Sequence, residues 1–273
     1  MPEMGLRDKV AIVTGAGSRA DGIGNGRAAA ILLAREGVKV ALLDAVTEWA
    51  QTTKEMIDNE GGTSMVISGD VADAQSTAEA VATTVGAWGR LDVLVNNVGI
   101  GGPAGNAVDM DSDAWDQGMA VNVKSMMLMA KSAIPEMCKK GGGAIVNLSS
   151  IDGLRGGNPS LFYSTSKGAI VNMTRSMAVH HGADGIRVNA IAPGFVYTPM
   201  VYSRGMSDDL RAHRAKNNLL QQEGTGWDVG QGVVYLASDM AKWVTGTVLS
   251  IDGGVSAGAV STVTPTTLFK EDE

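Results

Sequence analysis

A single cysteine, Cys138, leaves this 273-residue chain without any possible intrachain disulfide. A reducing, cytosolic setting is the expectation. No partner that would activate the thiol is indicated, so Cys138 reads as a buried, inert side chain. Basic residues are sparse as well: 22 Lys and Arg stand against 29 Asp and Glu, a net charge of −7, with no basic run or one-sided stripe. That excludes the electrostatic footprint of a nucleic-acid binder. No apolar run approaches the roughly 20 residues that span a bilayer, and the opening MPEMGLRDKV lacks the apolar segment of a signal peptide. Histidine is scarce too. His180 and His181 close a helical stretch and His213 lies in a variable segment, without the carboxylate or cysteine spacing of a metal centre.

Glycine is what the chain has in plenty. Its 36 copies follow no fixed period, which points to many tight turns or places where backbone approaches a ligand closely. Apolar runs at 9–15, 38–44, 64–70, 91–97, 143–149, 186–192 and 247–253 read as strands. They are nearly continuous in Val, Ile, Leu and Ala, as strands covered on both faces are. Helical spacing fills 25–36, 46–60, 73–88, 111–140, 161–182 and 226–238. This alternation predicts an α/β fold: a doubly wound, Rossmann-type, seven-stranded parallel sheet with helices on both faces. One domain over 1–258 is expected, with a variable, partly helical segment at 199–225 and a polar, exposed tail at 259–273. The methionines at 126–129 suit helix packing.

The first strand ends in Thr14-Gly15 and enters a Gly-rich turn, AGSRADGIGNG. Such a turn lets backbone N–H groups meet a pyrophosphate at a helix N-terminus, where the dipole is favourable. Asp44 ends the second strand, twenty-nine residues after Gly15. There a carboxylate can accept both ribose hydroxyls of an adenosine and would repel a 2′-phosphate, which favours NAD over NADP. Arg19 counts the other way, since it could partly neutralise Asp44 and admit NADP. Asp70-Val71 and Asn96-Asn97-Val98-Gly99 follow the third and fourth strands, at the carboxyl edge where such sheets bind ligands.

Tyr163 and Lys167 are four apart on a helical pattern and share a face. A free phenol titrates near pH 10, and a nearby ammonium favours its ionised form. The pair is therefore a physical answer to how a tyrosine could exchange a proton near neutrality. Ser150 lies thirteen residues before Tyr163, at the end of a buried strand.

With these motifs in this order, the sequence resembles the short-chain dehydrogenase/reductase family from about residue 7 to 256. The match includes Thr14-Gly15, Asp44, Asp70, Asn96 to Gly99, Asn122, Ser150, Tyr163, Lys167, Arg187-Val188-Asn189, Pro193-Gly194, Thr198 and Asp252-Gly253-Gly254. The resemblance implies a catalytic tetrad. Tyr163 would donate or accept the alcohol proton, and Lys167 would lower its pKa and hold the nicotinamide ribose. Ser150 would hydrogen-bond the substrate oxygen, Ser149 being the alternative that the family spacing passes over. Asn122 would hold a water behind Lys167. Val196 and Thr198, after Pro193-Gly194, would meet the nicotinamide carboxamide. A homotetramer is the implied assembly, with a dimer next.

The Gly-rich turn departs from the family pattern. Counting back from Ala34-Arg35-Glu36-Gly37 sets Gly24-Asn25-Gly26 at the usual Gly-Ile-Gly and leaves about five extra residues within 18–23. Ser18, Arg19 and Asp21 are expected to form a small loop over the pyrophosphate or adenosine. The implied reaction interconverts a secondary alcohol and a ketone with NAD. Alternatives are an NADP-dependent carbonyl reductase, a lyase or isomerase on the same fold, and a dinucleotide-binding regulator. An enoyl reductase of the family commonly has a wider Tyr–Lys spacing. The substrate pocket is expected to be walled by Asp152, Leu154 and Asn158, by Gly101-Gly102-Pro103 and by 199–225. A ring ketone, a polyol or a carboxylated compound would all suit it.

Overall fold

The structure, a computed structural model, describes residues 4–203 and 205–258. Arg204 and the 259–273 tail lie outside the described residues. The chain alternates as β1 (Val10–Thr14), α1 (Asn25–Arg35), β2 (Lys39–Asp44), α2 (Thr47–Asn59), β3 (Thr63–Ser68), α3 (Ala74–Trp88) and β4 (Val93–Asn96). There follow α4 (Ser112–Met119), a π-helical turn at Ala120–Lys124, α5 (Ser125–Cys138), β5 (Gly143–Leu148), α6 (Leu161–His181) and β6 (Ile186–Pro193). The last part holds β7 (Val196–Tyr197), α7 (Pro199–Tyr202), α8 (Asp208–Lys216), β8 (Gly224–Thr225), α9 (Gly226–Ala237) and β9 (Val248–Ile251). Seven strands form one parallel sheet in the order β3-β2-β1-β4-β5-β6-β9. The two-residue strands β7 and β8 pair with each other and close the 199–225 segment at its base.

Strand periodicity divides the core into two layers. Ala11 and Val13 of β1, with Val40 and Leu42 of β2, face α1 and α9. Val10, Ile12, Ala41 and Leu43 face the opposite way, against Val81 of α3 and Met129, Ala133 and Met137 of α5. Burial of these side chains is the main force holding the helices to the sheet. The sheet order reverses between β1 and β4, and that reversal opens a crevice at the carboxyl ends of the strands.

Three expectations need correction. Burial on both faces holds for the central strands but not for β3 and β9, which are sheet edges and only partly covered. The 111–140 helix is not uniform, because a π-turn interrupts it and re-aims Asn122. Cys138 is exposed: Ile134 and Met137 take the inward positions of the last turn of α5, and the next residue points out. Of the methionine run, Met126 and Met129 are core residues and Met127 is 40% exposed. No helix of the described residues is long and apolar enough to cross a membrane.

Candidate active site

The crevice widens into a cavity of about 1310 Å³ running from the Gly-rich turn to Pro199, Met200 and Val201. At the β1 end, the Thr14 hydroxyl donates to Val95 O at 3.3 Å and accepts from Asn97 N at 3.0 Å, tying β1 to β4. Gly15 turns the chain with φ +62°. A Cβ on Gly26 would sit 2.2 Å from Gly15 O, so only glycine lets α1 lie against the strand end. Gly24, the N-cap of α1, is different, since a Cβ there would meet nothing within 4 Å. This is open ground before a helix N-terminus, where N–H groups and dipole suit a pyrophosphate. Asn25 beside it has a buried Oδ1 with no hydrogen-bond partner among the described residues. The residues present therefore fit a dinucleotide.

The extra residues at 18–23 form a loop as expected, and Ser18 and Arg19 line the cavity. Asp21 does not. Its carbonyl instead accepts the hydroxyl of Tyr202 on α7. Buried Arg27 staples the loop from below, donating to Gly22 O at 2.6 Å, Thr53 Oγ1 at 3.0 Å and Trp49 O at 3.3 Å. At the adenosine end, Asp44 Oδ2 accepts from Gly17 N at 2.9 Å and Oδ1 from Val46 N at 3.0 Å. Each oxygen keeps a further acceptor site for a ribose hydroxyl. Asp70, Val71, Asn97 and Gly99 also border the cavity. The Asn97 amide is spent on bracing β1, donating to Thr14 O at 3.0 Å and Gly15 O at 2.9 Å.

At the chemical end, Ser160 caps α6, its hydroxyl accepting from Tyr163 N at 3.2 Å and donating to Pro103 O at 2.6 Å. Tyr163 is thereby fixed in the first turn of α6, with Lys167 one turn on. The Ser150 hydroxyl accepts from Asp152 N at 3.2 Å and borders the same cavity as Tyr163. Its neighbour Ser149 faces the helix instead, donating to Lys167 O at 2.8 Å. Lys167 is buried and donates from Nζ to Leu148 O at 3.0 Å. Asn122 lies outside the cavity wall. It accepts from Ile100 N at 2.8 Å and donates to Ile100 O and Ser166 Oγ, each at 3.0 Å. The π-turn makes this clamp possible by aiming Asn122 at the loop after β4.

Burial raises the Tyr163 pKa above the ordinary phenol range by penalising its anion; Ser150 offsets this in part, while the Asp152 charge adds to the rise. Lys167 Nζ lies over the Tyr163 ring, 5.8 Å from its centroid, and burial pushes its own pKa down to about 8.

Pro193, Gly194, Val196 and Thr198 line the cavity, as do Asp152 and Asn158, joined by a hydrogen bond of 2.7 Å. Leu154 does not belong there. The short turn at Ile151–Gly153 carries it outward, 40% exposed, and Arg155 takes the wall position. Pro103 yields likewise to Ala104. Sequence reasoning missed Trp49, Arg155, Phe195 and Arg214, all wall residues. Trp49 could have been found, since the first turn of a helix after Asp44 faces the strand ends. Arg214 could not, because its place depends on how the 199–225 segment folds back.

The family model described as enoyl-(acyl carrier protein) reductase matches residues 18–256. The chain is 38% identical over 250 residues to cis-4-hydroxycyclohexanecarboxylate dehydrogenase of Sinomonas cyclohexanicum, covering 92% of this chain and 97% of that one. A solved short-chain dehydrogenase/reductase of Burkholderia xenovorans superposes with a TM-score of 0.87 at 38% identity, covering 93% of this chain and 98% of the other. A 7α-hydroxysteroid dehydrogenase, solved with NADH and 7-oxo glycochenodeoxycholic acid, superposes at 0.86 with 29% identity, covering 92% and 96%.

Proposed function

The chain belongs to the short-chain dehydrogenase/reductase family, and from that premise we propose that it is an NAD-dependent oxidoreductase interconverting a secondary alcohol and a ketone, with Tyr163 as general acid and base. The observation that carries this reading is that Ser150, Tyr163 and Lys167 line the same cavity as the open Gly24 turn and Asp44. When bound, the nicotinamide supplies a hydride acceptor or donor. Ser150 holds the substrate oxygen, and the Tyr163 hydroxyl gives that oxygen its proton on reduction or takes it on oxidation. Lys167 holds the nicotinamide ribose, and Asn122 keeps the backbone behind it in place.

Asp44 supports NAD over NADP: it is buried at the end of β2 and its charge opposes a 2′-phosphate. The NADH complex of the hydroxysteroid dehydrogenase and the cyclohexane substrate of the Sinomonas enzyme support the same cofactor and a ring alcohol. The test is NADH formation from NAD with cyclic alcohols, polyols and hydroxy acids, with NADP as a separate arm and an enoyl thioester as another, the latter read as NADH consumption. Turnover of secondary alcohols with NAD is expected. Turnover of the enoyl thioester alone would transfer the activity to carbon–carbon double bonds. Absence of any turnover despite cofactor binding would leave a binding protein.

A homotetramer in the cytosol completes the reading. Val179 on α6 and Trp243 before β9 are 81% and 96% exposed, as side chains that meet a second copy would be in one subunit. Light scattering in solution tests it, and a monomer would sink it.

A further inference from the structure

Arg214, on α8, enters the cavity wall from the 199–225 segment. Its guanidinium is half-buried and lies 5.1 Å from the Phe195 ring centroid. Its one hydrogen bond among the described residues is long, from Nη2 to Val196 O at 3.5 Å. The nearest acidic group is already used. Both oxygens of Glu223 are held by Arg211, from Nε at 2.7 Å and Nη2 at 2.5 Å. Arg214 is thus left without an ion pair among the described residues, with most of its five N–H donors unspent.

A cation withdrawn from water is stable only when something answers its charge. The neighbouring wall is apolar: Phe195, Val196, Met200 and Val201. Arg155 also borders the cavity, but it is tied to Val255 O at 3.3 Å and its charge is answered by Asp252. Near Tyr163 the wall carries the opposite sign in Asp152. Asp152 acts on Tyr163, whereas Arg214 stands on the 199–225 segment without a counter-charge among the described residues. A carboxylate directly on the carbinol carbon would be repelled by Asp152, and one further along would be attracted.

We infer that the substrate carries a carboxylate remote from its carbinol carbon, and that Arg214 binds this carboxylate. The planar guanidinium suits two-point recognition of a carboxylate, and apolar walls suit the hydrocarbon between the two ends. The inference rests on the cavity beside Tyr163 being the substrate site.

The test is equilibrium binding, which needs no turnover. Cyclohexanecarboxylate and cyclohexanecarboxamide, nearly equal in shape, are titrated calorimetrically into the protein with and without NADH. The carboxylate should bind the wild type roughly tenfold or more tightly than the amide, the size of one charge-assisted contact. Arg214→Leu should erase that difference while leaving NADH affinity within about twofold, and Arg214→Lys should restore part of it. Thermal melting identifies any variant that fails to fold, and the Lys variant then carries the comparison. Equal binding of the two probes to wild type, or binding of neither, overturns the inference. A matching loss of NADH affinity in Arg214→Leu also overturns it, by assigning Arg214 to a cofactor phosphate. Inactivity toward every alcohol with this binding pattern intact would count against the oxidoreductase reading alone.

Discussion

A Cβ on Gly99 would stand 3.1 Å from Nζ of Lys167. The ammonium occupies a slot between the end of β4 and the Leu148 carbonyl, which it meets at 3.0 Å. Adding one methyl to Gly99 forces this ammonium to give way by a few tenths of an ångström. Displacements of that order at a reacting centre are costly in rate. Gly99→Ala should lower kcat by about tenfold while shifting the melting temperature little, as steady-state kinetics and calorimetry would check.

The buried ammonium also makes a stability prediction. Folding lowers the Lys167 pKa from 10.5 to about 8. Between those values the unfolded chain binds more protons than the folded one, so stability rises with pH across that window. Below pH 8 the folded chain carries the cost of a buried charge. Wild type should therefore gain about 3 kcal/mol relative to Lys167→Met between pH 8 and pH 10.5. Urea unfolding of both proteins across this range reads the difference directly. A flat difference would mean that the ammonium is solvated.

Ser150 and Asp152 act on Tyr163 with opposite signs. The Ser150 hydroxyl lowers the phenol pKa and the Asp152 charge raises it. In alcohol oxidation the phenolate is the base, so the rate climbs with pH toward the Tyr163 pKa. Asp152→Asn should move that limb of kcat/KM to lower pH, and Ser150→Ala should move it to higher pH with a drop of about a hundredfold or more. The pH profiles of the two variants must shift in opposite directions.

Much of this was legible in the sequence because it depends on local order. The strand and helix alternation carries its own period, and Tyr163, Lys167 and Ser150 are related by spacing along one strand, turn and helix. The failures share a cause. Leu154, Cys138 and the π-turn at Asn122 turn on rotations of a residue or two, to which hydrophobic periodicity is blind. Arg214 is set by the non-local pairing of β7 with β8, and no motif announces it.

Gly24 and Gly26 separate binding from folding. A Cβ on Gly26 would strike Gly15 O at 2.2 Å and Asn97 Nδ2 at 2.4 Å, and backbone cannot move aside cheaply. Gly26→Ala should cost roughly 1–3 kcal/mol of stability, the usual penalty for overpacking. Gly24→Ala meets no neighbour, so its melting temperature should stay within a degree or two of wild type, on the order of surface substitutions. It should nevertheless weaken NADH binding, because the new methyl enters the ground reserved for pyrophosphate. Fluorescence titration alongside thermal melting checks both.

The inserted loop and the substrate segment are joined by one contact, the Tyr202 hydroxyl on the Asp21 carbonyl. Gly22 makes room for it with φ +114°, since a Cβ there would run into Tyr202 Oη. Loosening of the cofactor turn is therefore expected to accompany loosening of the substrate wall. Tyr202→Phe removes only the hydroxyl, keeps the ring that packs 4.7 Å from Tyr197, and should cost about 1 kcal/mol or less overall. Its effect should be local and shared. Hydrogen exchange should quicken at both 18–23 and 199–203, and the KM values for cofactor and substrate should rise together while kcat changes little. A rise in only one of the two KM values would show that the contact joins the segments in space without coupling their functions.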